Sequence, residues 1–346
     1  MSAMENAVGD ASRISIRGAM RALQVSAFSG PDAVGLANLP EPLASHPLAR
    51  DDPVVIEVHA AGVAFPDVLL SRGLYQMKPE LPFVPGMEVA GVVRVGLDDG
   101  RLRAGDRVAA FTQLGGFAEV AVAPAHLTFR LPDALDFAQG AGLVLNYHTA
   151  VFALVTRGRL RAGERALVHG GAGGIGTATL QVARGLGART IAIVSSDAKA
   201  EVARQAGAHD VVRADVQWLD EVRDLTGGGV DVVIDPVGGD RFTDSLRALR
   251  AGGRVVVVGF TGGSIPHVKV NRLLLHNTAV VGSAWREWVI QRPEAAREIG
   301  DVVTRLIGDG AIRPLVGARF PLEDGSDALR LIEQRRAVGK VVLEVR

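Results

Sequence analysis

Cysteine is absent from all 346 residues. That absence excludes a disulfide framework and any thiolate-held metal. An excess of one charge is missing too: 38 basic residues balance 38 acidic ones, with no long run of either sign. A neutral chain offers no electrostatic footprint for nucleic acid or an anionic membrane. No apolar run is long enough to cross a bilayer. The first 18 residues lack the basic start and apolar core of a secretory signal, and Glu5 and Asp10 beside Arg13 and Arg17 argue against a targeting peptide. The expectation is a soluble cytoplasmic protein with a loosely held extension over residues 1–18. No internal repeat and no low-complexity linker is present.

Glycine is abundant, with 42 copies, and one group of them stands apart. The apolar run Ala166-Leu167-Val168 ends at His169 and is followed by Gly170, Gly171, Gly173, Gly174 and Gly176. Then Ile175, Ala178, Val182, Ala183 and Leu186 recur at three- and four-residue spacing. This reads as strand, tight turn, helix, with Gly171-x-Gly173-x-x-Gly176 where a dinucleotide fingerprint belongs. Missing side chains let backbone approach a pyrophosphate, and the helix start offers free N–H groups and partial positive charge.

Short β-rich runs fill the chain from Met20 to about Phe129, with turn signals at Asp98-Asp99-Gly100 and Ala104-Gly105-Asp106. Phe65 to Gly73 reads as a short helix between them. One helical segment is expected from Leu131 to Arg157. Beyond it strands and helices alternate: strands at 190–194, 210–212, 230–234, 254–259 and 278–282, helices at 197–205, 215–225 and 240–250. That alternation implies a doubly wound parallel sheet with a ligand at the carboxyl ends of its strands. Helices from Pro293 to Ile307 and Asp327 to Arg335 and a strand from Lys340 to Val345 close the chain. This last part is too short for a domain and is expected to return to the first one. The strand 278–282 would be a sheet edge, which invites pairing with a second copy.

A ribose-binding acid is expected about 20 residues past such a fingerprint in an NAD site. Val194 occupies the strand tip instead, followed by Ser195, Ser196 and Lys199. Hydroxyls and an ammonium suit a 2′-phosphate, so NADP(H) is expected over NAD(H). Asp197 could still swing to the ribose, and Ser196 could simply cap a helix.

Several stretches together resemble the zinc-free quinone oxidoreductase family of the medium-chain dehydrogenase/reductase superfamily: AAGVAFPDVLLSRGLYQ (Ala60 to Gln76), LPFVPGMEVAGVV (Leu81 to Val93), AGDRVAAF (Ala104 to Phe111), VHGGAGGIGTATLQVARGLGA (Val168 to Ala188), IDPVGG (Ile234 to Gly239) and GKVVLEV (Gly339 to Val345). The resemblance implies an α/β protein: a GroES-like, mostly β catalytic domain in two pieces, residues 19–145 and 288–346, around a Rossmann NADP(H)-binding domain over 146–287. It implies a homodimer or a dimer of dimers.

Zinc-dependent relatives have cysteine where this chain has Ala64 and histidine where it has Met87, so no metal is expected. Asp67 and Glu88 match neighbours of that site. Without a Lewis acid, oxyanion stabilisation falls to hydrogen bonds. That favours electrophilic acceptors: quinones, enones and enoyl thioesters. Tyr75, one of two tyrosines, resembles the family's active-site tyrosine. It reads either as a proton donor or as a ring packed on the cleft wall. The family's usual asparagine is replaced by Ala64, which would leave room for a bulkier substrate beside Asp67 and Tyr147. Thr149, Gly259, Phe260, Asn271 and Lys340 match positions near the cofactor, together with Gly171, Gly173, Gly174, Ile175 and Gly176. Asp235 is expected to fix a turn. An enoyl-thioester reductase is the alternative, with Arg72, Lys78 and Arg286 as candidates for phosphate contacts. A non-catalytic NADPH-binding or redox-sensing protein is the reading from another class.

Overall fold

The computed structural model describes residues 18–49, 52–215 and 217–346. The extension expected over residues 1–18 lies outside them, save Gly18. The described strands are β1 (Ala19–Val25), β2 (Val34–Pro40), β3 (Pro53–Val63), β4 (Glu88–Val95), β5 (Arg107–Phe111), β6 (Val120–Pro124), β7 (Thr128–Arg130), β8 (Arg165–His169), β9 (Arg189–Val194), β10 (Asp210–Arg213), β11 (Val230–Asp235), β12 (Leu249–Val257), β13 (Ala279–Gly282), β14 (Val316–Pro321) and β15 (Lys340–Glu344).

Six of them form one parallel sheet in the order β10-β9-β8-β11-β12-β13. Their apolar runs are near-continuous because helices cover both faces: every residue of β11 is buried. Strand order reverses between β8 and β11, which opens a crevice at their carboxyl ends. The second sheet, β14-β15-β3-β4-β5-β7 with β6 also on β3, is mostly antiparallel. Its β14 and β15 come from the end of the chain, and Val341 to Glu344 pair with Ala60 to Val63. The expected return of the chain to its first domain is thus a strand pairing.

One apolar core runs from Leu23 on β1 and Val89 and Phe111 in the mixed sheet, through Phe152 and Ala178 on helices, to Val232 in the parallel sheet. Two contacts tie the sheets beside the fingerprint. Gly339 N donates to Ala172 O at 2.7 Å, and Gly339 bridges to Gly173.

Two sequence expectations about helices change. The single helix expected from Leu131 to Arg157 is a short turn, Phe137–Gly140, followed by a helical stretch over 144–157 with widened π-type turns. Gly140 and Gly142, poor helix formers, stand at the break. The helix expected over 240–250 ends at Arg247, because Leu249 already pairs with Val230 as part of β12.

Candidate active site

The glycine turn joins β8 to the helix Gly174–Gly185. Two glycines there are required by space. A Cβ on Gly176 would lie 2.1 Å from Gly170 O, and one on Gly171 would lie 2.7 Å from the Ala192 side chain on β9. No side chain caps the helix, and the first bond along it runs from Thr177 N to Gly173 O at 2.8 Å. The N–H groups of Gly174, Ile175 and Gly176 are thereby left for an anion. Thr149 lies next to this turn: its N–H bonds to Asn146 O, and the Asn146 amide packs against Gly174. Asn146 went unselected in the sequence because a lone buried amide carries no spacing signal.

At the tip of β9, Ser196 caps the next helix, Asp197–Gln205, by accepting from Lys199 N at 3.3 Å. Lys199 Nζ donates to Ser195 Oγ at 3.2 Å and to Arg335 O at 2.9 Å. Partial burial, and then the positive charge of Arg335, pull the Lys199 ammonium below its usual range. Asp197 does not face this cluster as a free carboxylate, since Arg213 holds it, and Arg213 also donates to Ser195 O at 3.2 Å. Two cations, Lys199 and Arg213, therefore bond Ser195, and the charge of Arg335 lies close enough to Lys199 to act on its ammonium. Arg213 was readable in principle, because it ends the strand beside β9 and aligns with Val194. Arg335 comes from 136 residues past Lys199, and no spacing announces it.

Gly259 and Phe260 follow β12 and meet the turn after β11. Asp235 Oδ1 accepts from Val237 N at 2.8 Å and Gly238 N at 2.9 Å, which fixes that turn as expected. The Phe260 ring would lie 2.9 Å from a Cβ on Gly238, and the residue stays exposed. Asn271 begins the helix Asn271–His276 and is also exposed.

Three expected site residues are committed elsewhere. Lys340 is buried with its ammonium paired to Glu88, so it has no free charge for a cofactor. Glu88 Oε2 also accepts from Leu145 N at 2.9 Å. Tyr147 is buried in the core, and its hydroxyl donates to Gln181 Oε1 at 2.8 Å, so it packs rather than lining a pocket. Burial pushes that phenol far up. Asp67 is fully buried and bonds backbone: Oδ2 accepts from Ala64 N at 2.9 Å, Oδ1 from Gly86 N at 3.2 Å.

Tyr75 is half-buried against the main core, and its hydroxyl makes no hydrogen bond among the described residues. Burial raises its phenol and Glu287 adds to the rise, while Arg286 lowers it. Met87 and Ala64 stand nearby in sequence to Asp67 and Glu88, both buried. Neither brings a nitrogen, thiolate or carboxylate, and the two carboxylates are already bonded. Among the described residues no cluster of three His, Asp or Glu side chains could hold a metal ion. No described helix is long and apolar enough to cross a membrane.

A fingerprint-bearing parallel sheet tied to a mostly antiparallel one defines a two-domain dehydrogenase. The chain matches the family model for an alcohol dehydrogenase GroES-like domain over residues 50–133 and that for a zinc-binding dehydrogenase over 174–301. It is 39% identical over 298 residues to the quinone oxidoreductase-like protein 2 of Bos taurus, covering 85% of each chain. Among solved structures, a probable oxidoreductase from Mycobacterium abscessus is 41% identical with a TM-score of 0.86, covering 95% of this chain and 100% of that one. The quinone oxidoreductase of Thermus thermophilus, solved also in complex with NADPH, is 32% identical with a TM-score of 0.81, covering 94% of this chain and 100% of that one. This chain belongs to the quinone oxidoreductase family of the medium-chain dehydrogenase/reductase superfamily.

Proposed function

We propose that the chain is an NADPH-dependent, zinc-independent reductase of quinones and other conjugated carbonyl compounds. The observation that carries the reading is the basic tip of β9: Lys199 and Arg213 bond Ser195, Arg335 adds its charge near Lys199, and the Asp197 carboxylate is already bound to Arg213. A 2′-phosphate fits that charge, whereas the ribose hydroxyls of NADH would find no free acid. The uncapped start of the helix Gly174–Gly185 would hold the pyrophosphate, with Thr149, Gly259 and Phe260 towards the nicotinamide. NADPH, when bound, supplies hydride. The protein binds and orients it, and Tyr75 offers an uncharged O–H to the substrate oxygen.

The zinc-free part is supported by side-chain chemistry. Ala64 and Met87 cannot stand in for hard or borderline zinc ligands. Asp67 and Glu88 are fully engaged by backbone N–H groups and Lys340. The relatives' names supply the substrate class, and we carry it to this chain as part of the proposal. We also propose a homodimer joined at β13, whose outer edge has no partner strand among the described residues.

The test is oxidation of NADPH, with NADH as control, against a simple quinone and a short enoyl-coenzyme A. Quinone turnover with NADPH preferred is the expected result, unchanged by a chelator. Turnover of the thioester alone, or a strict preference for NADH, would overturn it.

A further inference from the structure

Helix Trp285–Gln291 leaves the edge of the parallel sheet and enters the wall of the other one. Trp285 is buried, edge-on to Phe111 on β5 at 5.3 Å and to His148 at 5.6 Å. That packing fixes the next residue, Arg286. Its Nη1 donates to Glu287 Oε1 and its Nη2 to Gln113 Oε1, each at 2.9 Å. Glu287 Oε1 also accepts from Gln76 Nε2 at 2.7 Å, and Gln113 Nε2 lies 3.3 Å from Met77 Sδ. A continuous polar chain thus joins the segment after the first helix, the segment after β5 and the helix 285–291. Gln76 and Met77, members of that chain, follow Tyr75 directly in sequence. The Arg286 side chain is 18% exposed and its Nε is buried without a partner. Of a guanidinium's five N–H donors, two are used. Arg286 is therefore a fixed, inward-tied cation, not the solvated surface charge that its sequence context allows.

We propose that Arg286 is a substrate-binding residue that receives the carbonyl oxygen beside Tyr75, and that its pairing with Glu287 selects neutral conjugated carbonyl compounds over anionic ones. This rests on the reading of the chain as a carbonyl-reducing enzyme. With zinc ligands replaced, N–H donors must meet the negative charge that develops on the oxygen as hydride adds to the conjugated system. The hydride's electron pair forms the new C–H bond, charge moves to oxygen, and a proton from Tyr75 or water neutralises it. A guanidinium stays charged throughout. Before reaction the Arg286–Glu287 pair is neutral overall, so it gives a neutral substrate little ground-state attraction. The interaction grows only as charge develops, which is the condition for raising rate rather than mere affinity. A substrate already carrying a sulfonate, carboxylate or phosphate at this position would meet Glu287.

The experiment compares a neutral naphthoquinone with its ring sulfonate, using wild type, Arg286→Gln, Arg286→Lys, Arg286→Ala and Glu287→Gln. Wild type is expected to prefer the neutral quinone. Arg286→Gln is expected to lower kcat/KM for it on the order of 100-fold, mainly through kcat. NADPH binding, read by cofactor fluorescence, and the Tm should stay near wild type, Arg286→Lys should recover part of the rate, and added guanidinium should partly rescue Arg286→Ala. Glu287→Gln should narrow the preference against the sulfonate. A rate for Arg286→Gln within about twofold of wild type overturns the proposal. So does an equal loss of NADPH affinity, or a wild-type preference for the sulfonate. A wild type that reduces no quinone or enone sinks the carbonyl-reductase reading itself, which is a separate outcome.

Discussion

Asp67 shows how one residue can hold a site together without acting in it. It lies three residues into the helix Phe65–Ser71, fully buried, and each oxygen accepts a backbone N–H, from Ala64 at the helix start and from Gly86 across a turn. Burial, set against those two bonds and the charge of Lys340, pushes its carboxyl up to about 7. The sign of the linkage follows from a raised acid. Between about pH 4 and pH 7 the folded state keeps a proton that the unfolded chain has released, so this group's contribution to stability falls as pH rises through that window and is level above it. Asp67→Asn cannot titrate. Its unfolding free energy, measured by denaturant titration across the same range, is expected to lack this slope, a difference of at most about 4 kcal/mol. Equal slopes in the two proteins would refute the assignment. The helix start was legible, since an acid in the first turn after Pro66 is a sequence signal. The full burial of that acid was not, because it depends on Gly86, 19 residues away.

At the scale of elements, the fingerprint and the Glu88–Lys340 pair respond differently to substitution. Gly176→Ala puts a methyl 2.1 Å from Gly170 O, where only backbone could give way. It is expected to weaken NADPH binding by an order of magnitude or more, read by fluorescence titration, since the phosphate turn must open. Glu88 and Lys340 tie β4 to β15 in the core across 252 residues. Breaking such a pair from one side leaves a buried charge, so Lys340→Met should cost about 3–5 kcal/mol. Adding Glu88→Leu should return most of that, less about 1 kcal/mol for the orphaned Leu145 N–H. A double-mutant cycle showing simple additivity would count against this account. The fingerprint could be read because strand, turn and helix are contiguous in the chain. The ion pair could not. No period links Glu88 to Lys340, and the family resemblance pointed to Lys340 as a cofactor contact, whereas it is its neighbour Gly339 that touches the fingerprint turn.

For the molecule as a whole, the parallel, doubly wound character of one sheet followed from alternation along the chain, whereas the mixed sheet closes only because β15 travels back to β3. The same sheet order leaves β13 bonded on one side, to β12. The helix before it, Asn271–His276, turns Leu274 and Leu275 to solvent at 76% and 72% exposure, with Val270 at 73% and Ile265 at 71% in the preceding segment. A bare strand edge beside four exposed aliphatic side chains is an arrangement that a monomer in water would bear at a cost. A second copy related by a two-fold axis would pair β13 with its own equivalent and cover the same side chains on both subunits, in a closed and self-complementary contact. Sedimentation is therefore expected to give a dimer. Leu274→Asp with Leu275→Asp should shift it to monomer, because each change would place a carboxylate in an apolar contact on both sides of the axis. A wild-type monomer, or a dimer indifferent to both substitutions, would remove β13 and its helix from the interface.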